Sequence, residues 1–238
     1  MCTDPRSALS EWPPVSRGTG IFIWRVVMKR SMFFVDGFNM YHALDQDPAF
    51  HKYKWLDLDA LARCFSVLPY EDVQSVRYFT AYATWRSPQA LSRHKAYVKL
   101  LQSKNVEIVL GRFQKKDRKC CAPQGCGKKF ISHEEKLTDV NIAVSIVETC
   151  VRGQCDILYL VSADNDLVPA LETAKRLCSS LDITVLLPPH PKVKTLTDIC
   201  HKNGYSVVKI SEAFLARSQF PDNVTLQGKT YYRPLTWR

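Results

Sequence analysis

Residues 32–39 read Met32-Phe33-Phe34-Val35-Asp36-Gly37-Phe38-Asn39, an apolar run that leads directly into an aspartate, a glycine and an asparagine. A short apolar run that ends in turn residues predicts a strand of an α/β protein with both of its faces buried. Asp36 then stands at the carboxyl end of that strand, where open parallel sheets bind their ligands. Gly37 allows a sharp turn, and the Asn39 amide can point back toward Asp36. This stretch therefore predicts both a central strand and the start of a polar site.

Two later segments continue the same pattern. The first, Glu134-Glu135-Lys136-Leu137-Thr138-Asp139, opens an apolar helix. The second, Leu158-Tyr159-Leu160-Val161-Ser162-Ala163-Asp164-Asn165-Asp166, reads as another buried strand that ends in acidic residues. Strands alternate with helices along most of the remaining chain, and this alternation predicts a parallel sheet covered by helices on both faces.

Three pieces of the sequence together resemble the NYN-domain (LabA-like) family, a branch of the PIN-like nucleases. They are Val35-Asp36-Gly37-Phe38-Asn39, Glu135-Lys136-Leu137-Thr138-Asp139 and Val161-Ser162-Ala163-Asp164-Asn165-Asp166, in the order in which the family has them. The resemblance covers Met32 to Ser211. It implies a PIN-like, Rossmann-like α/β/α fold of three layers with a mainly parallel central sheet. It also implies a metal-dependent phosphodiesterase, specifically a ribonuclease.

Four carboxylates are candidates for a catalytic site: Asp36, Asp139, Asp164 and Asp166. Asp36 and Asp164 follow two predicted parallel strands, and Asp139 lies near the start of the helix that leads into the second strand. These points can converge at one edge of a right-handed βαβ sheet. Because crowded carboxylates repel one another and bind hard divalent cations, they indicate a Mg²⁺ or Mn²⁺ site that can act on a substrate phosphate. The resemblance implies the same assignment.

Four neighbouring residues are expected to support these acids: Asn39, Thr138, Ser162 and Lys136. The hydroxyl groups of Thr138 and Ser162 are expected to hydrogen-bond to the carboxylates rather than to act as nucleophiles. Lys136 precedes Asp139 by three residues, so we expect it to meet a substrate phosphate or to balance the negative charge.

Other phosphate sites fit the sequence less well. The chain has neither a Gly-x-Gly-x-x-Gly turn after a strand nor a Gly-x-x-x-x-Gly-Lys loop, so no nucleotide cofactor is expected. Asp164 and Asp166 have the Asp-x-Asp spacing of a phosphatase, but they come late in the chain. Besides the ribonuclease, two functions stay open: an RNA-binding or regulatory NYN module with little activity, and a small-molecule phosphatase.

Charge and hydropathy limit the partners of the chain. Its 238 residues carry a formal net charge of +10, which favours a polyanion such as nucleic acid, and the resemblance implies RNA. No apolar run reaches the roughly 18–20 residues that cross a bilayer, so no membrane partner is expected. The nine cysteines are an odd number and are scattered through predicted helices. They predict reduced thiols and a cytoplasmic location rather than a disulfide framework.

The segment 111–133 combines clustered cysteines with many basic residues. Cys121, Cys126 and His133, with Cys120 adjacent, would supply up to four ligands to a structural Zn²⁺. The alternative is a basic loop with reduced thiols. In either case the basic residues are predicted to hold the phosphate backbone of a nucleic acid. These residues are Arg112, Lys115, Lys116, Arg118, Lys119, Lys128 and Lys129.

Composition also predicts the domain organisation. Residues 1–30 contain turn and linker residues, and we expect a disordered or loosely packed extension, with Met28 as an alternative start. Residues 31–217 are predicted to form the NYN/PIN-like domain with the basic insertion at 111–133. Residues 218–238 read as a C-terminal tail with little pattern.

Local signals predict the bounds of several elements. Ser87 and Pro88 form an N-cap and a first helical residue, so a long helix is expected to start there. Further elements are two strands and one helix: Val106–Leu110, Asp182–Leu187 and Val168–Leu177. The helix from Asp139 to Cys150 is expected to turn an apolar set that includes Val140 and Val144 toward the core.

Overall fold

A six-stranded sheet in which every strand pair is parallel forms the centre of the protein, with the strand order β3-β2-β1-β6-β7-β8. The computed structural model describes residues 28–67, 69–120, 126–190 and 194–238. The described residues contain ten strands, which are β1 (Lys29–Asp36), β2 (Glu71–Thr80), β3 (Val106–Leu110), β4 (Arg112–Lys119), β5 (Lys129–Lys136), β6 (Ile157–Val161), β7 (Asp182–Leu187), β8 (Ser206–Lys209), β9 (Asn223–Leu226) and β10 (Lys229–Tyr232).

Helices cover both faces of this sheet. The described residues form seven α-helices, which are α1 (Gly37–Asp45), α2 (Leu58–Phe65), α3 (Pro88–Ser103), α4 (Thr138–Val151), α5 (Val168–Leu177), α6 (Lys194–Lys202) and α7 (Glu212–Arg217). Short 3₁₀ helices lie at Pro48–Lys54, Asn165–Leu167 and Leu235–Trp237. The predicted three-layer α/β/α fold is therefore confirmed. Among the described residues no helix is both long enough and apolar enough to cross a membrane.

The side chains of β1 alternate between two hydrophobic cores. Phe33 and Val35 face the layer that contains α1, α2, α3 and α7. Met32 and Phe34 face the layer that contains α4, α5 and α6. All four side chains are at most 4% exposed, so β1 is buried on both faces. The continuous apolar run of this strand is explained by that position, because each face must pack against a helical layer.

The order of the strands places a crevice next to β1. The chain moves from β1 to β2 and β3 on one side, and then crosses to β6, β7 and β8 on the other side. The direction of winding therefore reverses between β1 and β6. In open α/β sheets ligands bind at such a point, outside the carboxyl ends of the two strands. The fold thus directs attention to the residues that follow Val35 and Val161.

Several predicted bounds are confirmed. Ser87 caps α3 by accepting a hydrogen bond from the Ala90 amide at 3.3 Å, and Pro88 is the first helical residue. The strands β3 and β7 and the helix α5 have the predicted bounds.

The outward face of α4 was predicted incorrectly. Val140 and Val144 are 59% and 60% exposed, whereas Ile142, Ile146 and Cys150 are buried against the sheet. Apolar residues occur around most of this helix, so hydrophobic periodicity did not identify the face that packs.

The prediction of reduced thiols is wrong for one pair of cysteines. Cys150 and Cys178 form a disulfide that joins the end of α4 to the end of α5. The free cysteines of the described residues include Cys64, Cys126, Cys155 and Cys200.

The basic insertion is a β-hairpin. Strands β4 and β5 pair antiparallel over eight positions, from Arg112 opposite Lys136 to Lys119 opposite Lys129. Lysine has little preference for strands, so no strand was predicted in this basic segment. Backbone pairing runs along the full length of both strands.

Two predicted boundaries change. Lys29 and Arg30, which the sequence assigned to the N-terminal extension, belong to β1, while residues 1–27 of that extension lie outside the described residues. Residues 218–238 do not form a patternless tail. They contain the hairpin β9–β10 and a 3₁₀ helix whose Trp237 packs beside Trp55 and Tyr97, with ring centroids 6.0 and 6.1 Å away.

We expect Trp237→Ala to lower the free energy of unfolding by about 3–5 kcal/mol, because removal of a buried tryptophan leaves a cavity. Trp237 is 9% exposed and belongs to the same core as Trp55. Urea denaturation of the full chain measures the change. Leu235→Ala is the matched control, because Leu235 lies in the same 3₁₀ helix but is 77% exposed. Equal stability of the two variants would show that the C-terminal segment does not contribute to the core.

Candidate active site

Asp36 is held in a defined position at the carboxyl end of β1. Its side chain caps α1, and Oδ1 accepts a hydrogen bond from the Asn39 amide at 3.0 Å. Oδ2 accepts a hydrogen bond from the Ser162 hydroxyl at 3.1 Å. The residue is only 4% exposed. Gly37 is required beside it, since a Cβ there would lie 2.5 Å from the Phe79 carbonyl oxygen. The chain therefore places a buried carboxylate at the point where the strand order reverses.

The turn after β6 is tied to the turn after β1. The Ala163 amide donates a hydrogen bond to the side-chain oxygen of Asn39 at 3.0 Å. The Asp164 amide donates to the Ser162 hydroxyl at 3.1 Å, and the Asp166 amide donates to Asp164 Oδ1 at 2.9 Å. Ser162 thus links Asp36 to the turn that carries Asp164. The Asn39 side chain, which was expected to point toward Asp36, bonds to the Ala163 amide instead.

Asp139 reaches the same region from the start of α4. The preceding residue, Leu137, has a left-handed backbone with φ 79°, which redirects the chain from β5 into the helix. Thr138 is buried, and its hydroxyl has no hydrogen-bond partner within the described chain. Gly111 packs against it, because a Cβ on Gly111 would lie 2.5 Å from Thr138 Oγ1. Thr138 therefore packs at the start of α4 without bonding to a carboxylate.

The acidic groups interact electrostatically. The pKa of Asp36 is raised to about 6, mainly by burial. The hydrogen bonds from Asn39 and Ser162 oppose this rise, and the charges of Asp139 and Asp164 contribute a smaller increase. Burial also raises the pKa of Asp139, with additional repulsion from Asp164 and Asp166. Asp36 and Asp139 thus respond to the charges of Asp164 and Asp166, so the structure brings the four predicted acids into one electrostatic cluster.

Glu135 belongs to this cluster although it was not predicted as a site residue. Burial raises its pKa to about 7, and the charges of Asp139 and Asp36 contribute. Its Oε1 atom is buried and has no hydrogen-bond partner within the described chain. The only sequence signal was its place in the Glu134-Glu135-Lys136 segment. The strand β5 decides which glutamate turns inward, because neighbouring residues of a strand point to opposite faces.

These carboxylates fit a hard divalent cation by their chemistry. Mg²⁺ and Mn²⁺ prefer carboxylate oxygens as ligands. The buried Oε1 atom of Glu135 accepts no hydrogen bond within the described chain and lies near the other acids, so it is available as a metal ligand. Among the described residues no group of three His, Cys, Asp or Glu side chains is already arranged to hold a metal ion. The oxygen ligands for such a site are therefore present, but they are not already arranged around an ion.

A cleft of about 770 Å³ connects the acids to an aromatic wall. The acidic end is lined by Asp36, Glu135, Asp139 and Asp164. The other lining groups include the rings of Phe38, Trp85, Phe113 and His133 and the side chains of Arg86 and Arg93. A cavity of this size with convergent polar groups at one end is typical of a ligand site.

Four of these rings form an aromatic cluster, defined here as Phe38, Trp85, Phe113 and His133. The Trp85 indole lies parallel to the His133 imidazole, with an interplanar angle of 2° and a centroid distance of 4.1 Å. Phe113 meets the same indole by its edge at 4.2 Å, and Phe38 meets Phe113 by its edge at 5.4 Å. The cluster joins α1, the turn after β2 and the hairpin β4–β5. Trp85 was not predicted from sequence, because its ring partners are distant in the chain.

The basic residues of the hairpin lie on two different faces. Arg112, Lys116 and Arg118 alternate with Phe113 and therefore point away from the cleft. On that outer face Arg118 and Lys116 form ion pairs with Glu134, the latter at 3.4 Å. The residues that alternate onto the same face as Phe113 are Lys115, Lys119 and Lys129.

Lys136 was predicted to face the acids, and this prediction is wrong. Its ammonium group pairs with Glu134 at 3.3 Å on the outer face of the hairpin. The alternation along β5 explains the difference, because Lys136 and Glu134 point to one side and Glu135 to the other.

The predicted zinc ligands do not all lie together. His133 is opposite Lys115 in the hairpin and stacks on Trp85. It is four ladder positions from Lys129, roughly 13 Å along the strand, so it is remote from Cys126 at the hairpin end. Cys120 donates its backbone amide to the Lys128 carbonyl at 3.0 Å, and Cys121 lies outside the described residues. The structure therefore assigns His133 to the cleft rather than to the cysteines.

Comparisons with known proteins agree with the family resemblance. A family model described as NYN domain matches residues 30–207. A curated protein of Pseudomonas putida, 6-hydroxy-3-succinoylpyridine 3-monooxygenase HspA, is 25% identical over 242 aligned positions, which cover 87% of this chain and 75% of that protein.

Proposed function

The chain belongs to the NYN domain family of PIN-like nucleases, and on that premise we propose that it is a metal-dependent ribonuclease. One observation carries the proposal. The buried carboxylate of Asp36 stands where the strand order reverses, and its pKa responds to Asp139 and Asp164 on two other elements. A bound cation would compensate such a concentration of negative charge in a cleft.

The residues that would hold Mg²⁺ or Mn²⁺ are Asp36, Asp139 and Asp164, with Glu135 and Asp166 close enough to influence them. Such an ion, when bound, lowers the pKa of a water molecule and polarises a phosphoryl oxygen. The remaining contributions come from the protein itself.

Asn39 and Ser162 position the carboxylates. Asn39 bonds to both turns, through its backbone amide to Asp36 and through its side-chain oxygen to the Ala163 amide. Ser162 donates to Asp36 and accepts from the Asp164 amide. A fixed pair of carboxylates at the cleft floor costs little reorganisation when a phosphate group enters.

Positive charge in the cleft suits a polyanionic substrate. Arg86 and Arg93 line the cleft, and neither has an ion-pair partner among the described residues. The net charge of +10 acts in the same sense over a longer range. RNA is the polyanion that the family relationship favours.

The test is an assay of cleavage with a labelled single-stranded RNA and a labelled RNA hairpin, in Mn²⁺, in Mg²⁺ and in chelator. We expect cleavage that requires the divalent ion. RNA binding without cleavage would indicate a binding or regulatory module instead. Release of phosphate from nucleoside monophosphates, without RNA cleavage, would indicate a small-molecule phosphatase.

A second candidate function is the binding of a small heteroaromatic acid in the same cleft. The similar protein of Pseudomonas putida is named for a succinoylpyridine, and the aromatic cluster beside Arg86 and Arg93 offers a ring surface next to cationic groups. Thermal-shift measurements with pyridine carboxylates test it. Stabilisation by these compounds, in the absence of any effect of RNA, would favour this candidate.

A further inference from the structure

The indole of Trp85 is arranged to receive a flat ligand. It lies in the turn between β2 and α3, and the turn is closed by a hydrogen bond from the Arg86 amide to the Ala83 carbonyl at 3.1 Å. His133 covers one face of the indole and Phe113 contacts it by an edge, yet the residue is still 38% exposed. A ring supported in this way loses little conformational freedom when another ring packs on its exposed part.

The stacked rings of Trp85 and His133 lie close to the acidic cluster, because the hairpin carries residues of both. Phe113 is directly opposite Glu135 in the hairpin, and His133 is two residues before Glu135 on the same strand and the same face. Two strand residues span roughly 7 Å. A phosphate at the acidic end of the cleft would therefore have the base of an adjacent nucleotide near Trp85 and His133.

The charge around the stack suits the backbone of a nucleic acid. Arg86 follows Trp85 directly and also lines the cleft. Lys115 is opposite His133 on the face of the hairpin that carries Phe113. An aromatic surface flanked by basic groups is the combination by which proteins bind single strands, with bases on the rings and phosphates on the cations.

We infer that Trp85, stacked on His133 and backed by Phe113, forms a subsite for one unpaired base next to the phosphodiester that is cleaved. This inference rests on the proposed function, because it places the subsite relative to the acids. The base must leave its own stack to reach the indole, so the substrate class is single-stranded nucleic acid rather than a duplex. Stacking on a ring is tolerant of base identity, so the subsite selects strandedness more than sequence.

The test uses the full chain with Asp36→Asn, so that a fluorescent octanucleotide stays intact during titration. Trp85→Ala in this background is expected to weaken binding of the single strand by about fivefold to a hundredfold, the usual contribution of one stacked base. Trp85→Phe should restore most of the affinity because it keeps a ring. Tyr232→Ala is the control, since Tyr232 is a 67% exposed aromatic residue outside the cleft lining.

A scan with abasic nucleotides separates stacking from a merely structural effect. With Trp85 present, we expect one position of the octanucleotide to be sensitive to loss of its base. With Trp85→Ala, removal of that base should have no further effect, because the two changes delete the same contact. Equal affinities of the Trp85 and Trp85→Ala proteins, or equal losses for single strand and duplex, would overturn the inference.

Failure of the subsite and failure of the proposed function give different results. If the protein with its native Asp36 cleaves RNA but Trp85→Ala does not alter binding, the subsite is wrong and the nuclease stands. If no RNA is cleaved but Trp85 and the abasic position remain coupled, the subsite stands as a binding site and the nuclease is wrong. If pyridine carboxylates bind to the protein and the octanucleotide does not, the subsite is overturned as well.

Discussion

Replacing Asp36 by asparagine is expected to reduce phosphodiester hydrolysis at least about a thousandfold, equivalent to about 4 kcal/mol of transition-state stabilisation. The substitution removes a carboxylate charge from the acidic end of the cleft and leaves the shape of the side chain unchanged. An asparagine oxygen can still accept from the Asn39 amide, and its NH₂ group can donate to the Ser162 hydroxyl. The fold should therefore persist while the activity is lost.

Initial rates of RNA cleavage in Mn²⁺ measure this effect, with circular dichroism to check the fold. Asp164→Asn should produce a loss of similar size, since Asp164 lies in the same electrostatic cluster. Glu148→Gln is the matched control, because Glu148 is an acid on α4 that pairs with Arg152 on the helix surface. A folded Asp36→Asn protein that cleaves RNA at the rate of the unsubstituted chain would show that the site has been assigned incorrectly.

In the absence of divalent ions, the free energy of unfolding of the unsubstituted chain is expected to fall as the pH rises from about 4 to about 7. The fall is measured against the free energy of unfolding of Asp36→Asn at the same pH. Burial raises the pKa of Asp36 from its usual 3.8 to about 6 and that of Glu135 from 4.5 to about 7. In this range the folded chain keeps protons that the unfolded chain has released. Unfolding therefore releases protons and becomes more favourable as the pH rises.

Asp36 alone accounts for up to about 3 kcal/mol of this loss, which is complete once the pH exceeds its raised pKa. The observable is the difference in free energy of unfolding between the unsubstituted chain and Asp36→Asn, measured by urea denaturation in chelator from pH 4 to pH 8. Groups remote from Asp36 titrate alike in both proteins and cancel in this difference, whereas Glu135 adds to it because the Asp36 charge contributes to its raised pKa. A difference that does not vary with pH would contradict the burial of an ionisable Asp36.

Addition of Mn²⁺ at pH 8 should reverse much of that loss in the unsubstituted chain. A ligand that binds only the folded state stabilises it by mass action, and the ionised carboxylates are the form that binds a cation. The same ion should raise the melting temperature of Asp36→Asn much less than that of the unsubstituted chain. An equal gain in both proteins would place the cation elsewhere.

The sequence alone determined the elements whose signals are local. The strand that leads to Asp36 was recognisable because both of its faces are buried, so its apolar run is continuous. The start of α3 was recognisable because Ser87 and Pro88 satisfy and fix the first helical turn within a few residues. The order of these elements and the acidic turns that follow two of the strands were sufficient to predict the fold and the position of the acids.

The tertiary structure decided which side chains share a space. Glu134 and Glu135 are adjacent in sequence, yet the pleat of β5 sends one to a surface ion pair and the other to the acidic cluster. Trp85 and His133 are brought together only when the hairpin β4–β5 folds over the turn after β2. Trp237 fills the core beside Trp55 although a large part of the chain separates them. Hydrophobic period and capping signals act over a few residues, whereas these contacts depend on the crossing of distant segments, which no local pattern encodes.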